Sequence, residues 1–143
     1  MAEGLFIHLV NEAGLSDKIN VESAGTSGWH MGELPDERMS EIAQGHGITL
    51  PSRSRKIRHD DFLEFDYIIP MDESNLHDLQ KVATHVQNPK ATIIKMRFFD
   101  EMGLNEDVPD PYYGGQGGFE DVYQMLLRAN EGFLNFIREQ NKI

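Results

Sequence analysis

Tyr67-Ile68-Ile69-Pro70-Met71-Asp72-Glu73-Ser74-Asn75-Leu76 compresses a strand, a turn and a helix start into one stretch. Tyr67-Ile68-Ile69 is a short apolar run of the buried-strand type, and Pro70-Met71 interrupts it. Asp72 has a side chain that can accept from the first unpaired N–H groups of a helix. Leu76, Leu79 and Val82 follow at helical spacing, which predicts a helix from this cap. The same alternation of elements extends in both directions. Upstream, Ile19-Asn20-Val21-Glu22-Ser23-Ala24 alternates as a strand does and ends in Gly25-Thr26-Ser27-Gly28; downstream, Ala91 to Met96 reads as a third strand.

Helices fall between and around these strands. Leu5, Phe6, Leu9, Val10 and Ala13 share one helical face, with Gly14 as the stop. That helix starts at residue 1 or 2 with no capping side chain ahead of it, and it reads as cut rather than begun. Pro35-Asp36 opens a second helix bearing Met39, Ile42 and Ala43, closed by Gly45 and Gly47. His59-Asp60-Asp61-Phe62 can start a short one. Val122, Met125, Leu126, Ala129, Phe133 and Ile137 give the last helix the strongest pattern in the chain. The order predicts an α/β fold, a small parallel sheet with helices on both faces. Ligands of such sheets sit beyond the carboxyl ends of the strands, which directs attention to the loops after Ala24, Ile69 and Met96.

Composition narrows the chemistry. The chain has 143 residues, enough for a single domain over 1–143, and a formal charge of −11 that disfavours nucleic acid and anionic membranes. No apolar run is long enough to span a bilayer and no signal-peptide pattern opens the chain, so a cytoplasmic protein is expected. There are no cysteines, which removes any thiolate nucleophile from these residues. His30, His46, His59, His77 and His85 lack metal-ligand spacing, so solvated histidines, no metal and no cofactor are expected. Arg53, Arg55, Lys56 and Arg58 read as a solvated basic loop, with a phosphopeptide-steering patch as the alternative.

Ser23-Ala24-Gly25-Thr26-Ser27-Gly28-Trp29, Met71-Asp72-Glu73-Ser74-Asn75 and Asp110-Pro111-Tyr112-Tyr113-Gly114 occur in that order, and Phe119-Glu120 opens the final helix. Together they resemble the low-molecular-weight protein tyrosine phosphatases over nearly the whole chain. The resemblance implies a cysteine phosphatase that dephosphorylates phosphotyrosine proteins through a phosphocysteine intermediate on a Cys-x5-Arg loop. It implies that Asp110 is the general acid, that Trp29, Tyr112 and Tyr113 line the cleft for a phenyl ring, that Ser23 braces the phosphate loop, and that Asp72 belongs to the polar network behind the site. For Asp72 the helix-cap reading alone also suffices.

The family's first central strand and its phosphate loop have no counterpart in this chain. The expectation is therefore an N-terminally truncated domain, inactive as written, with a catalytically dead binding module as the alternative. The missing strand belongs between Ile19–Ala24 and Phe65–Ile69. Either those two segments then pair directly, or a second copy fills the gap by strand swapping, giving a homo-oligomer.

Overall fold

The computed structural model describes residues 2–26, 37–48, 55–102, 107–108 and 115–143 (the backbone alone at 37–40, 115–117 and 119). Its elements are α1 (Ala2–Glu12), α2 (Glu37–Gly45), α3 (Asp61–Glu64), β1 (Tyr67–Ile68), α4 (Glu73–Ala83), β2 (Thr92–Ile93), a 3-10 turn (Met96–Phe99) and α5 (Gly115–Asn141). β1 and β2 are parallel, with Tyr67 opposite Thr92 and Ile68 opposite Ile93. This is the α/β arrangement expected from the alternation of elements, with α4 as the crossover between the two strands.

The core is built around α5. Val122, Leu126, Ala129, Phe133 and Ile137 are buried along one stripe, as the spacing predicts. Leu5 of α1 joins Ala43, Met96, Val122, Tyr123 and Leu126 in one cluster; Phe6 and Val10 join Leu15, Phe133, Leu134 and Ile137 in another. Phe133 anchors the second cluster, with its ring centroid 5.0 Å from Phe6, 5.0 Å from Phe99 and 5.9 Å from Tyr67. At Gly132, a Cβ would collide with the carbonyl oxygen of Phe99. Only glycine lets α5 lie against the 3-10 turn at that depth.

Several expectations are corrected. Ile19–Ala24 forms no strand: among the described residues its only ladder-like contact is the neighbouring bridge of Gly25 with Lys56. A strand is defined by its partner, and among the described residues no paired backbone lies beside this segment. The predicted strand Ala91–Met96 shrinks to Thr92–Ile93, because the chain turns into the 3-10 helix at Met96. Tyr67, Ile68 and Ile69 are half-buried rather than buried. α5 begins at Gly115, ahead of Phe119. Of the two outcomes expected for Ile19–Ala24 and Phe65–Ile69, direct pairing or a strand from a second copy, direct pairing does not occur; a cavity of about 980 Å³ lies between Ile19–Thr26 and Phe65–Asp72.

Other parts agree with the sequence. Gly14 takes φ +71° and Gly47 φ +79°, the left-handed conformations that end α1 and α2. Among the described residues, no helix is long and apolar enough to cross a membrane.

Candidate active site

The carboxyl end of β1 leads directly into a capped helix. Asp72 is extended at φ −145°, ψ 175°, and its side chain accepts from Asn75 N at 2.7 Å, which is the N-cap geometry. Its cap role is therefore structural fact.

A second loop docks onto the same end. Asp107 Oδ1 accepts from Glu73 N at 2.9 Å and from Lys95 Nζ at 2.7 Å, while Lys95 also reaches Glu73 Oε2 at 3.2 Å. The Arg97 guanidinium donates to Asp107 O at 3.1 Å, and Val108 N donates to Met71 O at 2.8 Å. The step Asp107-Val108 is thus fastened to the end of β1, the first turn of α4 and the end of β2 at once. Lys95 is buried, and its hydrogen bond to Asp107 raises its pKa and lowers that of Asp107, so both stay charged at neutral pH.

The far side of the cavity is braced from α3. Asp61 is buried and accepts from Arg55 Nη1 at 2.9 Å, Arg55 Nη2 at 3.0 Å and Arg58 N at 2.8 Å. Burial pushes its carboxyl up, but the hydrogen bonds from Arg55 and from the Arg58 backbone outweigh burial and hold the pKa below the ordinary value. Arg55 O in turn accepts from Gly25 N at 2.7 Å, and Ile57 N donates to Gly25 O at 2.9 Å. This pins the chain two residues beyond Ser23. Ser23 is exposed and donates to Glu3 Oε1 at 3.0 Å, tying the segment to the first turn of α1.

Ser23 and Asp72 both line this same cavity, together with Thr26, Asn75 and Val108. Trp29, Asp110, Tyr112 and Tyr113 lie outside the described residues, as does Arg53 of the basic stretch. That stretch is not a uniformly solvated loop, since Arg55 spends its charge on buried Asp61. Nor is His46 merely solvated: its ring stacks on Tyr123 at 3.8 Å and its Nε2 lies 2.9 Å from Glu120 Oε1.

Lys95, Arg97, Asp107 and the Arg55–Asp61 pair escape a sequence reading. The one available signal was charge inside an apolar pattern: Lys95 interrupts Ile93-Ile94 and Met96. The cavity rim can orient groups by hydrogen bonding, but the 143 residues contain no thiol to act as a covalent nucleophile.

The family described as low molecular weight phosphotyrosine protein phosphatase matches residues 1–143. The human low molecular weight phosphotyrosine protein phosphatase is 40% identical over 134 residues, covering 94% of this chain and 84% of its own. A low molecular weight protein-tyrosine-phosphatase from Streptomyces coelicolor is 37% identical over 142 residues, covering 98% of this chain and 86% of its own. Among solved structures, a protein tyrosine phosphatase from Entamoeba histolytica superposes with a TM-score of 0.86 at 34% identity, covering 99% of this chain and 89% of that one. A Drosophila arginine phosphatase does so at 0.88 and 33%, covering 96% and 88%.

Proposed function

We propose a function from one premise: the chain belongs to the low molecular weight phosphotyrosine protein phosphatase family. On this reading it is a single domain holding the acid half of a phosphatase site. Asp110 is the general acid that protonates the departing phenolate and later activates water. Trp29, Tyr112 and Tyr113 supply apolar walls for a phenyl ring, so the substrate class is a phosphotyrosine protein or an aryl phosphate. Ser23 and Asp72 support the phosphate-binding side of the cavity. The location that accompanies this reading is cytoplasmic.

The observation that carries the reading is the fastening of Asp107-Val108 to the carboxyl end of β1. Asp110 follows Val108 by two residue steps in the sequence, a contour of about 7 Å. That short tether supports reading Asp110 as an acid for chemistry at this edge of the sheet.

The other half of the chemistry requires a thiolate, and these residues have none. We therefore expect the 143-residue chain to turn over p-nitrophenyl phosphate at the background rate. A form carrying a Cys-x5-Arg loop ahead of Met1 is the active hydrolase on this account, and reading the nucleotides upstream in frame tests that. Turnover by the chain itself, abolished in Asp110→Asn, overturns the account. The zero cysteine count also favours a second reading, a catalytically dead binding module; saturable binding of a phosphotyrosine peptide to the chain supports it. On this reading a second copy can also pair by strand swapping, against the repulsion of −11 charges on each copy.

A further inference from the structure

The hydrogen bonds that hold Asp107-Val108 at the carboxyl end of the sheet are of two kinds. Val108 N donates to Met71 O at 2.8 Å, and the Arg97 guanidinium donates to Asp107 O at 3.1 Å. Both use the backbone of 107–108, which most residues would supply equally. The others need the Asp107 carboxylate, whose Oδ1 accepts from Glu73 N at 2.9 Å and from Lys95 Nζ at 2.7 Å.

Lys95 makes the carboxylate contact the stronger anchor. Its side chain is 6% exposed, against 51% for Asp107 and 70% for Glu73. An ammonium at that depth has lost most of its water, so its attraction to a carboxylate is screened less than that of a surface pair. Taking Asp107 away strips it of its 2.7 Å partner, a larger penalty than parting two exposed charges. An apolar side chain between Ile94 and Met96 would complete the hydrophobic run without that burden, yet would hold nothing.

The same contacts commit Asp107. The hydrogen bond from Lys95 holds its carboxyl below the ordinary range, so at neutral pH it has no proton to give. The acid for a departing oxygen is therefore a different group. On the phosphatase reading it is Asp110, three residue steps beyond Asp107, a contour of about 10 Å. Val108, between them, lines the cavity and packs against the core cluster of Val122 and Leu126.

We propose that Lys95 is a positioning residue for the general acid: through Asp107 it fixes where Asp110 meets the leaving oxygen of an aryl phosphate. This rests on the phosphatase reading. In that reaction the thiolate of a Cys-x5-Arg loop forms the S–P bond, and the P–O bond to the ring breaks with its electron pair left on oxygen. Asp110 gives that oxygen its proton. Lys95 touches neither the substrate nor the proton. A misplacement of about 1 Å at the acid can cost up to about a hundredfold in rate, and only where the proton is needed.

The test uses the form that carries the Cys-x5-Arg loop ahead of Met1 and compares two substrates by kcat/KM, which covers the steps up to release of the phenol. Phenyl phosphate leaves as a strongly basic phenolate that needs the proton; p-nitrophenyl phosphate leaves as a weakly basic one that needs it much less. Lys95→Met should lose about tenfold or more on phenyl phosphate and less than about threefold on p-nitrophenyl phosphate. Asp110→Asn should show the same split, and adding Lys95→Met to it should cost less than about twofold more on phenyl phosphate. Asp107→Asn, which leaves the lysine in place, should repeat the Lys95→Met split and serves if Lys95→Met does not fold. Lys81→Met, at an exposed lysine of α4, should change neither rate. Equal losses on the two substrates for Lys95→Met and Asp107→Asn, or a Lys95→Met loss that adds in full to that of Asp110→Asn, overturn the positioning role alone. No split for Asp110→Asn, or no turnover by the loop-bearing form, overturns the phosphatase reading and this inference with it.

Discussion

Asp61→Asn removes the charge that holds Arg55 and, through it, Gly25. The wild-type carboxylate takes both Arg55 nitrogens, at 2.9 and 3.0 Å, and Arg58 N at 2.8 Å. The amide keeps one acceptor and turns its other end into a donor facing a guanidinium. Hydrogen bonds to charged groups are worth about 1.5–3 kcal/mol each. Breaking a buried pair costs about 3–5 kcal/mol. Arg55 keeps 28% of its side-chain surface in solvent, which softens its loss of a partner, so the low end applies. We expect a loss of about 3 kcal/mol, out of a typical total of about 5–15 kcal/mol. At about 2–4 °C per kcal/mol for a chain near this size, the melting temperature falls by about 6–12 °C. Circular dichroism melts and urea titrations measure this. Amide exchange adds a local signature: Gly25 and Ile57, bonded across Arg55–Ile57, should exchange faster while the middle of α5 does not. A melting temperature within about 2 °C of wild type, or acceleration spread evenly over α5, refutes the reasoning.

Further outcomes follow from the same contacts. Burial raises the Asp100 carboxyl, but hydrogen bonds from Arg128 and Met102 N outweigh it, so Asp100, like Asp61, titrates below its ordinary value of 3.8. Both depressed carboxyls add stability that is fully present above that value and lost as pH falls through it toward the folded pKa; urea midpoints at about pH 5 and about pH 3 should show the drop, and Asp61→Asn should flatten it. Gly132→Ala should destabilise by about 1–3 kcal/mol despite alanine's better helix propensity, since its Cβ meets Phe99 O, and a melt decides the sign. Phe133→Ala should cost about 3–5 kcal/mol in urea unfolding, because its ring joins α1, α5 and the 3-10 turn. Lys95→Met should speed exchange of the Val108 amide and return the Asp107 carboxyl toward its ordinary value, read by NMR titration.

The parts of the fold legible in the sequence are those whose information is local. Asp72 before Leu76 and Leu79, the α5 stripe from Val122 to Ile137, and Gly14 after Ala13 each announce an element within one or two turns of chain. Ile19–Ala24 has the alternation of a strand but, among the described residues, no backbone beside it forms a ladder, and pairing is a property of the neighbour. Ile94 to Met96 leaves the strand because the chain turns into the 3-10 helix at Met96, a turn that the apolar run Ile93-Ile94 does not announce. For the site, Ser23 and Asp72 are brought to one cavity as their loops suggested. The role of Arg55 is not legible because its partner Asp61 is, in sequence, one more acidic residue at the start of a short helix. Buried Asn130 is invisible in the sequence for the opposite reason: one polar residue in a strong apolar stripe looks like noise until the stripe is seen to wall a cavity.

The most direct measurement is covalent trapping. The purified chain is mixed with phosphorus-32-labelled phosphotyrosyl peptide or p-nitrophenyl phosphate, quenched within a turnover time, and its bound label counted against protein. The account predicts no label above a protein-free blank, because a phosphocysteine cannot form on a chain with no cysteine. Label approaching one phosphate per chain, on any side chain, contradicts it.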